Sequence, residues 1–216
     1  EEFGKSEKAE PMTVNLSKDG GIFSSWNCLE GENTFLAVYL SAEETKKEFD
    51  LTLMPEGQGY VYKSQFSPSG NILLMGDKFL CEISREDGRL IRTYESGGYV
   101  TDFGIAGNQL LVFADDTIHY YSAKTGDPLP EETVFTEHLQ MESGENTEEV
   151  VSSRVFTGMG EQGILYVSKK GIYVYNLGGS VVEQLLSEGY LTGISSKTEL
   201  MDVETDADGN IYLAVS

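Results

Sequence analysis

The sequence predicts an all-β chain made of repeated antiparallel sheets, and three observations carry that expectation. A glycine-led phrase rich in Ile, Leu, Val, Tyr and Phe recurs five times. Gly31 precedes Thr34-Phe35-Leu36, Gly70 precedes Ile72-Leu73-Leu74-Met75, Gly107 precedes Leu110-Leu111-Val112, Gly163 precedes Ile164-Leu165-Tyr166-Val167, and Gly209 precedes Ile211-Tyr212-Leu213. Successive glycines lie 39, 37, 56 and 46 residues apart. The apolar runs are short and broken by Gly and Asp turns, which leaves no room for amphipathic helices of about ten residues.

Spacings near 40 to 50 with strands as the unit describe the blades of a β-propeller. The expected architecture is three full blades with partial blades at both ends, a partial or truncated ring over 12–216 with blade bounds near 22–60, 61–98, 99–150, 151–197 and an incomplete 198–216. Residues 1–11 are short, charged and poor in large apolar side chains, and they read as a flexible tether. The incomplete first blade has strands at 22–26, 34–40 and 48–54, with Ser41-Ala42-Glu43-Glu44 resembling a capping box for one helical turn. The second has strands at 63–67, 71–75, 79–84 and 90–94, turning at Glu86-Asp87-Gly88. The third has them at 100–105, 109–114 and 117–122, with Asp115-Asp116 and Thr125-Gly126 as turns that tolerate positive φ and an outer strand at 133–135. The fourth has them at 153–157, 164–168, 172–177 and 181–186, turning at Gly178-Gly179. Residues 201–216 begin a fifth blade and supply two strands. Two readings fit that end: a fragment of a longer protein, which is preferred, or a ring clasp in which 12–16 completes the last blade.

Thirty-six acidic residues against 15 basic ones give a formal charge of −21. Such a field opposes nucleic acid and anionic lipid and favours solubility as a monomer. No run of 18 apolar residues exists to span a bilayer as a helix. Cys28 and Cys81 are the two cysteines. They form no CxxC pair, so no zinc site is expected; two buried thiols are preferred over a disulfide, because the pair falls in different repeats.

Several residues invite a chemical reading. Asp206-Ala207-Asp208-Gly209-Asn210 resembles a calcium loop in composition, but its spacing fails the EF-hand pattern, and a hairpin turn is preferred. The stretch 131–150 holds seven glutamates and no Lys or Arg; a solvated loop is the first reading, and a lid or docking loop for a cationic partner the second. His119 and His138 lack the company a general base or metal centre requires. The 12 tyrosines and ten phenylalanines are assigned to packing between blades, with stacking platforms for sugars or peptides as the alternative. No catalytic, cofactor-binding or metal residue is assigned, and no cofactor is expected.

Tyr120-Tyr121-Ser122-Ala123-Lys124-Thr125-Gly126-Asp127-Pro128-Leu129 resembles the repeat ending of quinoprotein-like propellers. Asp206-Ala207-Asp208-Gly209-Asn210-Ile211-Tyr212-Leu213 and Ser67-Pro68-Ser69-Gly70-Asn71-Ile72-Leu73-Leu74 are similar to the Asp-Gly-Asn-Ile-Tyr phrase of NHL-type propellers. The tryptophan that quinoprotein repeats place after the Thr-Gly turn is missing here, so their cofactor does not carry over. The overall style also resembles propeller segments of secreted bacterial lipoproteins linked to extracellular solute-binding proteins. That resemblance implies an extracellular or cell-surface location, with a lipid anchor upstream, and a small solute, glycan or protein as partner. The expected function is a non-enzymatic binding module. The alternatives are a propeller enzyme acting on glycans as hydrolase or lyase, and a structural scaffold for a neighbouring domain.

Overall fold

The computed structural model describes residues 9–28, 34–40, 45–50, 61–114, 117–130, 155–158, 164–168, 171–176, 181–186, 200–206 and 210–215. Among them every regular element is a strand, and no helix is long and apolar enough to cross a membrane. The chain divides into two compact units, Glu1–Val100 and Thr101–Ser216.

The first unit holds two four-stranded antiparallel sheets in simple meander order. One is β1 (Ala9–Leu16), β2 (Ile22–Cys28), β3 (Thr34–Leu40) and β4 (Lys46–Asp50); the other is β5 (Lys63–Phe66), β6 (Ile72–Met75), β7 (Leu80–Ile83) and β8 (Leu90–Tyr94). Alternation along the strands decides which side chains meet. Phe23, Tyr39 and Phe49 of the first sheet share a buried cluster with Ile72, Leu74, Cys81 and Ile83 of the second. The Tyr39 and Phe66 rings meet edge to face at 6.2 Å between centroids. Every residue of β6 and β7 is buried, so these two central strands are covered on both faces. That explains why both side-chain sets of these strands are largely apolar.

The second unit contains β9 (Val100–Ala106, which starts at the last residue of the first unit), β10 (Gln109–Ala114) and β11 (Thr117–Ser122) in one sheet. A four-stranded sheet follows with β12 (Val155–Gly158), β13 (Ile164–Ser168), β14 (Gly171–Asn176) and β15 (Val181–Leu186). Two strands, β16 (Leu200–Thr205) and β17 (Ile211–Val215), form the last described sheet. In both four-stranded sheets of the first unit, and in β12 to β15, each strand pairs with its sequence neighbour.

The five glycine-led segments fall in five separate sheets, as expected, but the first repeat was misplaced by one strand. Gly31 leads into β3, the third strand of its sheet, whereas the other four segments are second strands. The true counterpart is Ser17-Lys18-Asp19-Gly20-Gly21-Ile22, which repeats the geometry of Ser67-Pro68-Ser69-Gly70-Asn71-Ile72. Ser17 N donates to Gly21 O at 2.7 Å and Ser67 N to Asn71 O at 2.8 Å, while Gly20 and Gly70 take φ of 85° and 83°. Glycine is needed at both because that φ is left-handed. Asp206 N closes the equivalent hairpin on Asn210 O at 3.1 Å.

Three further expectations change. The first sheet is not incomplete: β1 supplies its first strand, pairing Leu16 with Ile22 and Ala9 with Cys28. Residues 12–16 therefore pair with β2 rather than completing the last sheet, and the strand reaches back to Ala9, into the stretch expected to be a tether. Pro11 disguised it, since proline is out of place in a central strand yet tolerated at an edge or bulge; the register shifts between Pro11 and Thr13. The fourth strand of that sheet begins at Lys46, two residues earlier than expected. In the third sheet the chain returns beside β11 at once, with Tyr121 bridged to Pro128 and Leu129 N donating to Tyr120 O at 2.7 Å. The expected outer strand at 133–135, the capping box at 41–44 and the turns at 115–116 and 178–179 lie outside the described residues.

Candidate binding rim at one end of the second sheet

The second sheet has two unlike ends. At one end the hairpins Ser67–Asn71 and Ser84–Arg89 join β5 to β6 and β7 to β8. At the other, the β6–β7 turn meets the segments that lead into β5 and out of β8. Backbone hydrogen bonds gather these segments. Tyr62 N donates to Met75 O at 2.8 Å, Gly76 N to Phe79 O at 2.9 Å, and Val100 N to Asp77 O at 2.9 Å. The Phe79 ring lies against Gly76, where a Cβ would not fit. Val61 and Val100 point inward and are buried, so the tyrosine beside each is turned outward: Tyr62 is 50% and Tyr99 56% exposed. The Lys78 ammonium lies 5.0 Å from the centroid of the Tyr99 ring, within the range at which the ring's negative face attracts a cation. The rim therefore presents two tyrosines, Lys78 and the exposed Asp77 on a turn held by three backbone bonds.

The hairpin end spends its polar groups internally. Glu82 on β7 is 2% exposed, a burial that a carboxylate tolerates only when it is fully paired. Its Oε1 accepts from Ser67 Oγ at 2.9 Å, Ser69 Oγ at 3.0 Å and Asn71 Nδ2 at 3.2 Å. Its Oε2 accepts from the Tyr94 hydroxyl at 3.3 Å and is ion-paired with Arg92, whose Nε lies 3.0 Å away. One carboxylate thus ties the β5–β6 hairpin to the outer strand β8. Burial, reinforced by the neighbouring Glu82 charge, pushes the Tyr94 phenol up, and the same two causes push the Cys81 thiol up to about 12.

Polar bonds also run from the first sheet to the second. Arg85 Nη1 meets Asp19 Oδ2 at 2.7 Å and Lys47 Nζ meets Glu86 Oε2 at 2.5 Å. Asn15 Nδ2 donates to Ser64 O at 2.6 Å, and Ser64 Oγ to Thr13 Oγ1 at 2.7 Å, next to Ser25. The first strands of the two sheets are thereby stitched together. These groups are structural partners of one another.

The residues weighed from sequence are distributed as follows. His119 is partly buried on β11, paired with Val112 between buried Ile118 and Tyr120. Asp206 accepts from Asn210 N at 2.9 Å, Asn210 Nδ2 at 2.7 Å and the Tyr212 hydroxyl at 2.9 Å; these bonds close a hairpin, the reading preferred over a calcium loop. Cys81 is a buried free thiol. His138, the acidic stretch 131–150 and the Cys28 side chain lie outside the described residues. Among the described residues no three His, Cys, Asp or Glu side chains gather in a way that would hold a metal ion.

Packing is the first reading of the aromatics from sequence, and the stacking alternative names no residue, so the rim does not emerge from it. A signal for Tyr99 was present: Gly59-Tyr60-Val61, Gly98-Tyr99-Val100 and Gly189-Tyr190-Leu191 repeat one phrase ahead of the first strand of a sheet, whereas Tyr62 lies outside that phrase. The buried Val100 fixes which way Tyr99 faces, since successive residues of an extended segment point to opposite sides.

No family model matches the sequence, and no curated protein aligns with it. Solved structures do share its fold. The crystal structure of HIRA(644–1017) superposes with a TM-score of 0.50 at 12% identity, covering 85% of this chain and 54% of that one. The extracellular domain of BT4673 from B. thetaiotaomicron, described as a one-component system, gives 0.51 at 9% identity, covering 99% of this chain and 32% of that one. The chain thus spans about half of the first and about a third of the second. At such identities the likeness concerns the fold alone: all-β, with antiparallel sheets and propeller-like.

Proposed function

We propose that this chain is a non-enzymatic extracellular binding module of a bacterial cell surface, with its ligand at the rim formed by Tyr62, Lys78 and Tyr99. The observation that carries this reading is the outward pair of tyrosines on a turn pinned by backbone bonds. Large aromatic surface is normally hidden, and rings left in water on a rigid frame are the form that recognition surfaces take. The fold likeness to an extracellular domain of a bacterial one-component system supports the location and the binding role. The acidic balance of the chain supports a ligand other than nucleic acid.

The test is a panel of soluble oligosaccharides, amino acids and peptides titrated calorimetrically against the purified chain, with the variant Tyr62→Ala/Tyr99→Ala as control. At least one class is expected to bind, and the double variant to weaken it at least tenfold while keeping the wild-type melting temperature. Silence across the panel together with turnover of a glycan would sink the reading in favour of an enzyme.

A further inference from the structure

We infer that the rim takes a carboxylated sugar, its ring face laid on tyrosine and its carboxylate met by the Lys78 ammonium; this inference rests on the binding-module reading above. Three observations lead to it. First, several backbone groups of the turn are already used. Met75 O and Asp77 O accept, and Gly76 N donates, within the rim itself. A peptide docking as an added strand needs free backbone groups at an edge, whereas a sugar needs ring faces and a few side-chain polar groups. Second, the rim is compact. Tyr62 and Val100 attach to residues only two apart, which places their anchor points within about 7 Å of chain. A short oligosaccharide covers that span.

Third, Lys78 is uncommitted. Lys46, Lys47, Arg85 and Arg92 of the same unit are each ion-paired, with Glu48, Glu86, Asp19 and Glu82. Among the described residues Lys78 forms no ion pair and rests over the Tyr99 ring. A cation held by a ring face is oriented yet keeps its hydrogen-bonding capacity for an incoming anion. The charge of −21 does not veto an anion here, because carboxylates beyond the Debye length of about 8 Å are screened at physiological salt. Asp77, on the same turn, is not screened in that way and opposes the ligand. It therefore sets a second, opposite expectation.

The experiment is calorimetric titration of the galacturonic acid trisaccharide and of the matched neutral galactose trisaccharide. Each is run against the wild type, Lys78→Gln, Asp77→Asn and Tyr62→Ala/Tyr99→Ala, with melting temperatures recorded for all. The acidic trisaccharide is expected to bind at least tenfold more tightly than the neutral one. Lys78→Gln should remove at least tenfold for the acidic sugar and weaken the neutral one by a clearly smaller factor, while Asp77→Asn should tighten the acidic sugar severalfold. Equal binding of both sugars, or a Lys78→Gln variant that binds the acidic sugar like wild type, overturns the acidic class. The binding-module reading survives that result if the double tyrosine variant still weakens the sugar. No binding of either sugar also overturns the inference, and the module reading falls with it only if the wider panel is silent too.

Discussion

The two ends of the second sheet use the same chemistry for opposite purposes. At the hairpin end a buried carboxylate, Glu82, gathers two serines, an asparagine, a tyrosine and an arginine into a closed set of bonds. At the rim the cation lies on an exposed ring, and two tyrosines face water. Polar groups satisfied by one another hold sheets in place and have little left to offer a ligand. Groups left in water on a fixed frame cost the fold little and remain available. The comparison predicts that substitutions at the hairpin end act on stability and those at the rim on binding.

The largest stability effect belongs to Glu82. Replacing it with alanine leaves Arg92, Tyr94, Ser67, Ser69 and Asn71 facing an empty site, and removing one member of a buried pair typically costs about 3–5 kcal/mol. Glu82→Gln should cost less, since its amide oxygen still accepts from the hairpin side chains. Urea unfolding of both variants checks this. If Glu82→Ala unfolds like wild type while Lys78→Gln is unstable, the assignment of roles to the two ends is reversed.

How much of this contrast was legible from the sequence depends on the residue. The strands were readable because glycine turns and β-branched runs act locally. Bounds at 109–114, 117–122 and 181–186 agree residue for residue. The first hairpin is not, because Pro11 weakens the strand pattern before it, so Ile22-Phe23 reads as the opening strand of its sheet. Glu82 was invisible for a different reason. It stands in Leu80-Cys81-Glu82-Ile83, where a single carboxylate in an apolar strand looks like an outward-facing residue; only the closure of the 67–71 hairpin over it, together with Arg92 and Tyr94 of β8, supplies the partners that permit burial. The rim needed knowledge of which side of Val100 the sheet covers.

A pair of glycines sharpens the comparison with less expected effect. Gly88 at the hairpin end and Gly97 near the rim share a left-handed backbone, φ 71° and 69°. Alanine at either costs about 1–2 kcal/mol for that conformation. At Gly88 the new Cβ would also fall 2.6 Å from the buried Phe49 ring, whereas at Gly97 nothing lies within 4 Å. Gly88→Ala should therefore exceed Gly97→Ala by about 1–3 kcal/mol, the range for overpacking. Equal losses in urea unfolding would mean that Phe49 yields without cost.

Alkaline titration probes the interior behind Glu82. The Cys81 thiol is pushed up to about 12 by burial and then by Glu82, while in the unfolded chain it ionises near about 8.5. Between those values the unfolded state binds fewer protons than the folded one, so stability falls as pH rises, by at most about 1.4 kcal/mol per pH unit for one group. Tyr94 acts in the same direction, starting from its ordinary value near about 10. Cys81→Ala should flatten the decline of the urea midpoint above about pH 8.5, and Tyr94→Phe should flatten it at higher pH. A wild-type midpoint that stays level up to pH 11 would mean that neither group is buried in its neutral form.

The smallest effect is expected where the hairpin end meets water. Asp19 joins the first hairpin to Arg85 of the second sheet, and its carboxyl is held below the usual carboxylate range by the Ser17 hydroxyl and then by Arg85. A lowered folded value contributes stability above the unfolded pKa, near about 4, and that contribution is lost as pH falls through the folded value. Asp19→Asn should accordingly lower the urea midpoint slightly at neutral pH, and by progressively less as pH falls below about 4. Because both partners touch solvent, the difference should also shrink in ~1 M NaCl, where the screening length is about 3 Å. A loss that shrinks neither with falling pH nor in high salt would have to come from packing of the hairpins themselves, and the hairpin end would then owe its stability to shape rather than to paired charge.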